Sequence, residues 1–218
     1  MKYPILYSFK RCPYAMRARM AIKLADIRCE IREVRLNNKP EYMLAASPKG
    51  TVPILILEDR VIDESIEIIN WVLTQDHNLF YDPINSKQMN LTNDLIKLFD
   101  ENFKFHLDRY KYSTRYDNPN EELHRSKCLE ILISLENIIS DSHWIFGKTI
   151  NKLDISILPF IRQFRIADSV WFDSLLEIKK VQKLLNQFLD SELFKTIMYK
   201  YDVWDDQNEP VYFPATIL

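Results

Sequence analysis

The sequence predicts two domains, a mixed α/β domain followed by an all-helical domain. Two observations support this. Over the first 77 residues, short apolar runs typical of strands alternate with stretches of helical spacing. Beyond residue 88, every long stretch has apolar residues three or four positions apart, as helices do. We therefore assign residues 1–77 to the first domain, 78–87 to a linker and 88–218 to the second domain.

The predicted strands of the first domain are short and bounded by turn residues. Residues 5–7 form an apolar run, and residues 29–36 alternate between apolar and charged side chains. Residues 53–57 are nearly all apolar, as in a buried central strand, and we expect residues 60–62 to pair beside them. Helices are predicted at 13–25, 41–46 and 65–73. The resulting order, β-α-β-α-β-β-α, is the thioredoxin-like arrangement of a mixed sheet flanked by helices.

The second domain is predicted to be built from long helices. Asn151 and Asp154 stand three positions apart before a strongly apolar stretch, which is typical of a capping box at a helix start. Pro210 and Pro214 predict an extended tail. The predicted helices cover residues 89–110, 121–139, 155–166, 178–189 and 191–198.

Composition excludes several classes of function. A net charge of −2 gives no electrostatic reason to expect nucleic acid or an anionic membrane as a partner, and no apolar run reaches the roughly 20 residues of a membrane span. The only two glycines, Gly50 and Gly147, cannot build a glycine-rich phosphate loop or a dinucleotide fingerprint. The four histidines have no partner at ligand spacing, so we expect no metal site. Three widely separated cysteines form no disulfide framework, which predicts a cytoplasmic protein.

Cys12 is the candidate nucleophile. It lies between the first predicted strand and the first predicted helix, with Pro13 at a position that suits the first helical residue. The helix dipole and the nearby Lys10, Arg11 and Arg17 favour an anion there, and therefore the reactive thiolate. The alternative is a buried structural cysteine. The charged flanks favour the reactive interpretation.

The sequence resembles the glutathione S-transferases, and in particular a bacterial omega-like, cysteine-type branch. Five landmarks that span the chain in the family's order carry the resemblance, and together they are specific. We expect the glutathione S-transferase fold, a thioredoxin-like N-terminal domain plus an all-α C-terminal domain. The landmarks are residues 12–15 (CPYA), 38–41 (NKPE), 47–53 (SPKGTVP), 63–65 (DES) and 151–154 (NKLD), and residues 107–112 (LDRYKY) resemble a segment of that branch.

The resemblance implies that glutathione is the co-substrate and binds along the first domain. Cys12 would face its sulfur, and Val52, before a proline that is cis in the family, would pair with the cysteinyl unit. Glu64 and Ser65 would hold the γ-glutamyl end, and Lys39 would meet the glycyl carboxylate. A tripeptide with charged ends needs such opposite charges. The alternatives are a solvated turn lysine for Lys39 and a helix-capping pair for Glu64 and Ser65.

The implied activity is thiol transfer or dehydroascorbate-reductase-type reduction, in which Cys12 forms a mixed disulfide with glutathione. Ala15 occupies the position of the second cysteine of dithiol glutaredoxins, so a second glutathione must release the first. Tyr7 is interpreted as a packing residue. Two alternatives remain: a transferase that conjugates electrophiles, and a non-catalytic regulatory binding protein. The expected partners are glutathione, a small electrophilic or disulfide substrate, and a second copy of the chain in a homodimer.

Overall fold

The structure, a computed structural model, describes residues 3–75, 85–117 and 120–215. The chain forms two compact units, one of residues 1–79 with 190–218 and one of residues 80–189. Residues 190–218 therefore group with the first unit, whereas the sequence analysis placed them in the second domain. Residues 78–84 of the predicted linker lie outside the described residues, and a helix begins at Ser86, inside the predicted linker.

The first unit contains a five-stranded mixed sheet in the order β4-β3-β1-β2-β5. The central strand β1 pairs in parallel with β2 and antiparallel with β3, while β4 and β5 form the two edges. This confirms the predicted thioredoxin-like arrangement. The strands are β1 (Ile5–Ser8), β2 (Cys29–Glu33), β3 (Ile54–Ile56), β4 (Val61–Ile62) and β5 (Tyr212–Phe213).

Helices of this unit pack on the sheet through apolar side chains. Helix α1 contacts both α3 and α10, and residues 15–22 of α1 are all buried. The burial of a complete stretch, including two arginines, shows that α1 is surrounded by other elements. The helices are α1 (Pro13–Leu24), α2 (Glu41–Ala46), α3 (Ser65–Gln75) and α10 (Glu192–Ile197).

The C-terminal segment completes the sheet of the first unit. Tyr212 and Phe213 pair antiparallel with Glu30 and Cys29 of β2. The prediction of an extended tail is correct for the local conformation, but the tail is a strand and not a free end. Local pattern could not reveal this pairing because its two strands lie far apart in the sequence.

The second unit is helical. The single helix predicted over residues 89–110 is interrupted by a π-helical stretch, Phe99–Phe103, which joins α4 to α5. The rings of Phe99 and Phe103 stack there with their centroids 4.6 Å apart. Helix α8 was not predicted because six residues are too few to establish helical periodicity. The helices are α4 (Ser86–Leu98), α5 (Lys104–Lys111), α6 (Glu121–Glu136), α7 (Lys152–Ala167), α8 (Ser169–Ser174) and α9 (Lys179–Asp190).

The predicted capping box at the start of α7 is confirmed. The Asn151 side chain accepts the Asp154 N–H at 3.2 Å, and Asp154 accepts the Asn151 N–H at 2.9 Å. Asp154 also accepts the Ile145 N–H at 3.0 Å, so its fully buried carboxylate ties the preceding loop to the helix. Burial raises the pKa of Asp154 to about 7 although both N–H donors favour the charged form. No helix in the described part of the chain is long and apolar enough to cross a membrane.

Candidate active site

Cys12 is the N-cap residue of α1. Its backbone is extended (φ −74°, ψ 124°), and its carbonyl accepts the first helical hydrogen bond, from the Met16 N–H at 2.9 Å. The side chain is partly exposed, and its thiol donates to the Val52 carbonyl oxygen at 3.6 Å. A strand-to-helix junction leaves the first N–H groups of the helix without intrahelical partners, which favours an anion at this place. The Cys12 sulfur is therefore both accessible and in an environment that suits a thiolate.

The other two cysteines lie in different surroundings. Cys29 on β2 and Cys128 on α6 are fully buried. Burial raises the pKa of Cys29 to about 12 and also raises the pKa of Cys128 well above its ordinary value, so both thiols stay protonated at neutral pH. Of the three, Cys12 alone is accessible.

Gly50, two residues before Val52, is closely approached by the Lys39 side chain. The Val52–Pro53 peptide bond is cis, as the resemblance implied. Gly50 has φ +61°, and a Cβ there would lie 3.2 Å from the Lys39 Nζ and 3.1 Å from Leu44. Glycine thus allows both the left-handed turn and the close approach of the lysine. Lys39 is exposed and its ammonium rests over the turn that leads to Val52.

Glu64 is exposed and already bound to a lysine. Lys49 Nζ contacts Glu64 Oε1 at 2.7 Å and Asp63 Oδ1 at 2.9 Å, while the Ser47 hydroxyl donates to Asp63 Oδ2 at 2.6 Å. The Ser47 and Lys49 contacts lower the pKa of Asp63, and the two carboxylates raise the pKa of Lys49. A ligand ammonium would therefore compete with Lys49 for Glu64.

Ser65 is the first residue of α3 and is buried. Arg17 Nη1, on α1, donates to the Ser65 Oγ at 3.4 Å, and the Arg17 guanidinium lies 5.3 Å from the centre of the Tyr14 ring. Arg17 is itself fully buried. Because its guanidinium fills an acceptor site of Ser65, the serine O–H is left to donate to a ligand oxygen. Arg17 thereby links the helix of Cys12 to the helix of Ser65.

Tyr7 packs in the core, as the sequence analysis interpreted it. Its side chain is fully buried, and its hydroxyl accepts from Arg32 Nη1 at 2.7 Å. Burial raises the pKa of Tyr7, and the Arg32 contact opposes that rise. A hydroxyl held in this way is not a nucleophile activator.

Of the five predicted site residues, Cys12 and Val52 contact each other directly. Lys39, Glu64 and Ser65 each contact a neighbour, respectively Gly50, Lys49 and Arg17, that belongs to the same unit. The sequence analysis did not single out Lys49, although its position in the 47–53 landmark next to an acid–serine pair was a usable signal. Within residues 3–75, 85–117 and 120–215, no three His, Cys, Asp or Glu side chains are grouped so as to hold a metal ion.

The family model described as "Glutathione S-transferase, N-terminal domain" matches residues 6–79, which include all five site residues. The match supports the resemblance of the first unit to the glutathione S-transferases. The match begins on β1 and ends just beyond α3, so it covers the continuous part of the first unit and not its C-terminal segment.

Curated relatives carry the same family name. "Probable glutathione S-transferase DHAR2, chloroplastic" from Oryza sativa is 27% identical over 198 residues, which cover 88% of this chain and 67% of that protein. Human "Glutathione S-transferase omega-2" is 42% identical over 50 residues, which cover 23% of this chain and 21% of that protein. The omega match is short but supports the omega-like resemblance.

Solved structures of glutathione transferases have the same fold. The tau-class enzyme from mango, Mangifera indica, superposes with a TM-score of 0.79 at 20% identity and covers 91% of this chain and 93% of its own. A family member from Pseudomonas fluorescens, solved with two glutathione molecules bound, superposes with a TM-score of 0.76 at 15% identity and covers 90% and 92%. The glutathione S-transferase fold expected from the sequence is confirmed.

Proposed function

We propose that this glutathione transferase is a thiol transferase in which Cys12 is the catalytic nucleophile. The match to the glutathione S-transferase N-terminal domain supports glutathione as its co-substrate. The observation that carries the proposal is the position of Cys12, because it is the accessible cysteine, it caps a helix, and its sulfur lies beside the Val52 carbonyl. In the free protein the thiol donates to this carbonyl, which is the group that the resemblance assigns to the cysteinyl unit of glutathione. The two sulfur atoms would then meet.

Side chains around Val52 support a cradle for the charged ends of glutathione. Lys39 is an exposed cation over the turn before Val52 and would meet the glycyl carboxylate. Glu64 would take the γ-glutamyl ammonium after displacing Lys49, while Ser65 and the N–H groups at the start of α3 would take the adjacent carboxylate. The cradle thus offers a partner of opposite charge or donor character to each end.

The reaction proceeds in two exchanges. The Cys12 thiolate attacks the glutathione sulfur of a mixed disulfide, forms a Cys12–glutathione disulfide and expels the substrate thiolate, which takes a proton from water. A second glutathione, as thiolate, attacks the glutathione sulfur bound to Cys12. This produces oxidised glutathione and regenerates the Cys12 thiolate. Ala15 supplies no thiol for an internal release, so each mixed disulfide reduced consumes one free glutathione and yields one molecule of oxidised glutathione.

The test compares Cys12→Ser with Cys29→Ser. We expect Cys12→Ser to lower the rate of disulfide reduction at least about 100-fold, because a serine hydroxyl is not a nucleophile at neutral pH. Mass spectrometry after incubation with oxidised glutathione should find the added glutathionyl group on the peptide that contains Cys12. Full activity in Cys12→Ser together with loss in Cys29→Ser would show that the wrong cysteine has been chosen.

Conjugation of glutathione to an electrophile is the second candidate. The hydrogen bond from Cys12 to Val52 favours it, because a protonated thiol can donate to a bound glutathione thiolate in the way a hydroxyl does in conjugating enzymes. Under this alternative, the wild type conjugates aryl halides and forms no mixed disulfide. Under the thiol-transferase proposal, the wild type conjugates poorly, and Cys12→Ser gains conjugating activity.

We also propose that the enzyme is a cytoplasmic homodimer. The family resemblance supports the dimer, and the odd number of widely spaced cysteines supports a reducing compartment. Light scattering at micromolar concentration should give twice the chain mass of 26.1 kDa. A mass of one chain would refute the dimer.

A further inference from the structure

Two buried charged side chains hold the segment that leads from β1 to Cys12. This segment runs from Ser8, the last residue of β1, to Arg11. Its residues 9–11 have no regular secondary structure, yet they determine where the α1 N-terminus and its cysteine lie. Arg19 of α1 is 1% exposed and Glu33 of β2 is 9% exposed. Charged side chains are rarely buried to this degree unless a partner requires them.

Arg19 binds the acceptor groups of three consecutive residues in this segment. Its Nη2 donates to the Lys10 carbonyl at 2.8 Å, and its Nη1 donates to the Phe9 carbonyl at 3.4 Å and to the Ser8 hydroxyl. The Phe9 carbonyl also accepts the Cys12 N–H at 3.0 Å. Arg19 is therefore one hydrogen bond away from the backbone of the nucleophile.

Glu33 binds the same segment from strand β2, whereas Arg19 binds it from helix α1. Its Oε1 accepts the Lys10 N–H at 2.6 Å, so both polar backbone groups of Lys10 are bound by side chains. The backbone of Glu33 is in turn fixed, because its carbonyl accepts the Trp204 N–H at 2.8 Å. Burial raises the pKa of Glu33, while the Lys10 N–H and the Arg19 charge oppose that rise.

A purely structural role explains this arrangement poorly. Even a well-paired set of buried charges can often be replaced by apolar side chains of similar volume without loss of stability, so the core does not need charges here. A guanidinium, in contrast, presents several donors in a rigid fork and can fix several carbonyl groups at once. The arrangement suits precise placement of a short loop.

We infer that Arg19 and Glu33 are positioning residues that set the sulfur of Cys12 against the Val52 carbonyl and the N-terminus of α1. The inference rests on the proposed function only in taking Cys12 as the nucleophile. A misplacement of about 1 Å can cost about 100-fold in rate, so fixing Phe9 and Lys10 matters for chemistry without any contact to the substrate.

The experiment uses Arg19→Lys and Glu33→Gln, which keep the size of the side chains. Arg19→Lys keeps the charge but replaces the rigid planar fork of donors with a compact ammonium that cannot span the acceptors of Ser8, Phe9 and Lys10 in the same geometry. We expect it to lower kcat about 10- to 100-fold. The KM for glutathione should stay within about twofold, because Lys39, Glu64 and Ser65 are untouched. Glu33→Gln keeps an acceptor for the Lys10 N–H and should lower kcat by less than about fivefold.

Arg32→Lys is the matched control. Arg32 is a partly buried arginine of β2 whose side chain binds Glu30 and Tyr7, which lie outside residues 8–12. We expect it to lower the melting temperature as Arg19→Lys does while leaving kcat near that of the wild type. Equal loss of kcat in both variants, or a loss confined to KM, would overturn the inference.

A second readout does not depend on glutathione. The rate at which iodoacetamide alkylates Cys12, followed against pH, reports the environment of the sulfur directly. We expect its midpoint to shift in Arg19→Lys and not in Arg32→Lys. If the pH profile of alkylation is unchanged in both variants, the inference is overturned. If Arg19→Lys shifts the profile but the wild-type protein reduces no disulfide, the proposed function alone is refuted.

Discussion

The two units bury charge for different purposes. In the described part of the first unit, residues 3–75 and 190–215, the fully or nearly fully buried charged side chains are Arg17, Arg19 and Glu33, and each contacts Ser65 or the segment before Cys12. In the described part of the second unit, residues 85–117 and 120–189, Asp154 is the charged side chain buried in this way, and it caps a helix. Buried charge therefore serves the candidate site in one unit and the fold in the other. Substitutions of these charges in the first unit should therefore change mainly activity, and substitution of Asp154 in the second unit should change mainly stability.

The largest expected effect on stability is that of Asp154→Ala. It leaves the N–H groups of Ile145 and Asn151 buried without their acceptor and removes half of the capping box. We expect the free energy of unfolding to fall by about 2–4 kcal/mol, measured by chemical denaturation. Asp154→Asn retains one acceptor oxygen and should lose less. An Asp154→Ala protein as stable as the wild type would show that the buried charge of the second unit does not stabilise its fold.

Glu64→Ala tests the first unit through ligand affinity. Loss of the partner for the ligand ammonium should weaken glutathione binding about tenfold, or about 1.4 kcal/mol, because Glu64 is exposed and its contact is screened by water. Its melting temperature should match that of the wild type. Calorimetry that found equal affinity for the two proteins would remove Glu64 from the site.

Lys49→Ala sharpens that test. Lys49 occupies Glu64 in the free protein, so its removal should leave the carboxylate open to the ligand ammonium. We expect glutathione to bind about two- to threefold more tightly, a small gain typical of exposed charge pairs. Weaker binding would show instead that Lys49 contacts the ligand itself. The double variant Glu64→Ala with Lys49→Ala should lose this gain.

The smallest expected effect is the pH dependence of a histidine pair in the second unit. His106 of α5 and His124 of α6 share a hydrogen bond between their Nδ1 atoms at 2.8 Å. Burial is the main cause that lowers the pKa of both histidines, and the positive charge of Arg109 lowers both further. For His106, the His124 ring and Lys127 also lower the pKa, while Glu130 raises it. The folded state therefore binds fewer protons than the unfolded state below about pH 6.5, so stability falls as the pH falls through this value.

We expect this loss to be less than about 1 kcal/mol between pH 7.5 and pH 5.5, since both rings are partly exposed. His124→Gln should reduce the difference between the two pH values. Denaturant unfolding of both proteins at each pH measures it. An identical pH dependence in the variant would show that the pair does not contribute.

Local pattern predicted much of the fold and the position of the nucleophile. The residues before and after Cys12 have strand and helix spacing, and the capping box of α7 depends on two residues three positions apart. Helix breaks such as the π-helical stretch were missed because the apolar spacing of residues 95–99 suits a continuous helix equally well. Long-range pairing, such as β5 with β2, leaves no local signal.

The positioning residues were also missed, although one of them had a signal. The sequence analysis noted only that apolar and charged residues alternate along residues 29–36. Glu33, however, has the same parity as the buried Cys29 and Ile31, so it points to the same face. A carboxylate on the buried face of a strand requires a partner. That partner, the Lys10 N–H, and the nearby charge of Arg19 could be identified only once β2, α1 and the segment before Cys12 were seen together.

The pairing of β5 with β2 has a consequence for synthesis of the chain. Residues 6–79, which match the family model, leave the ribosome well before β5 and α10 are translated. Domains generally fold from the N-terminus as they emerge, so the sheet must wait with the edge of β2 uncovered while the whole second unit is made. An uncovered strand edge is a template for wrong pairing with another chain. The edge of β2 is therefore open to such pairing until the last residues of the chain have been made.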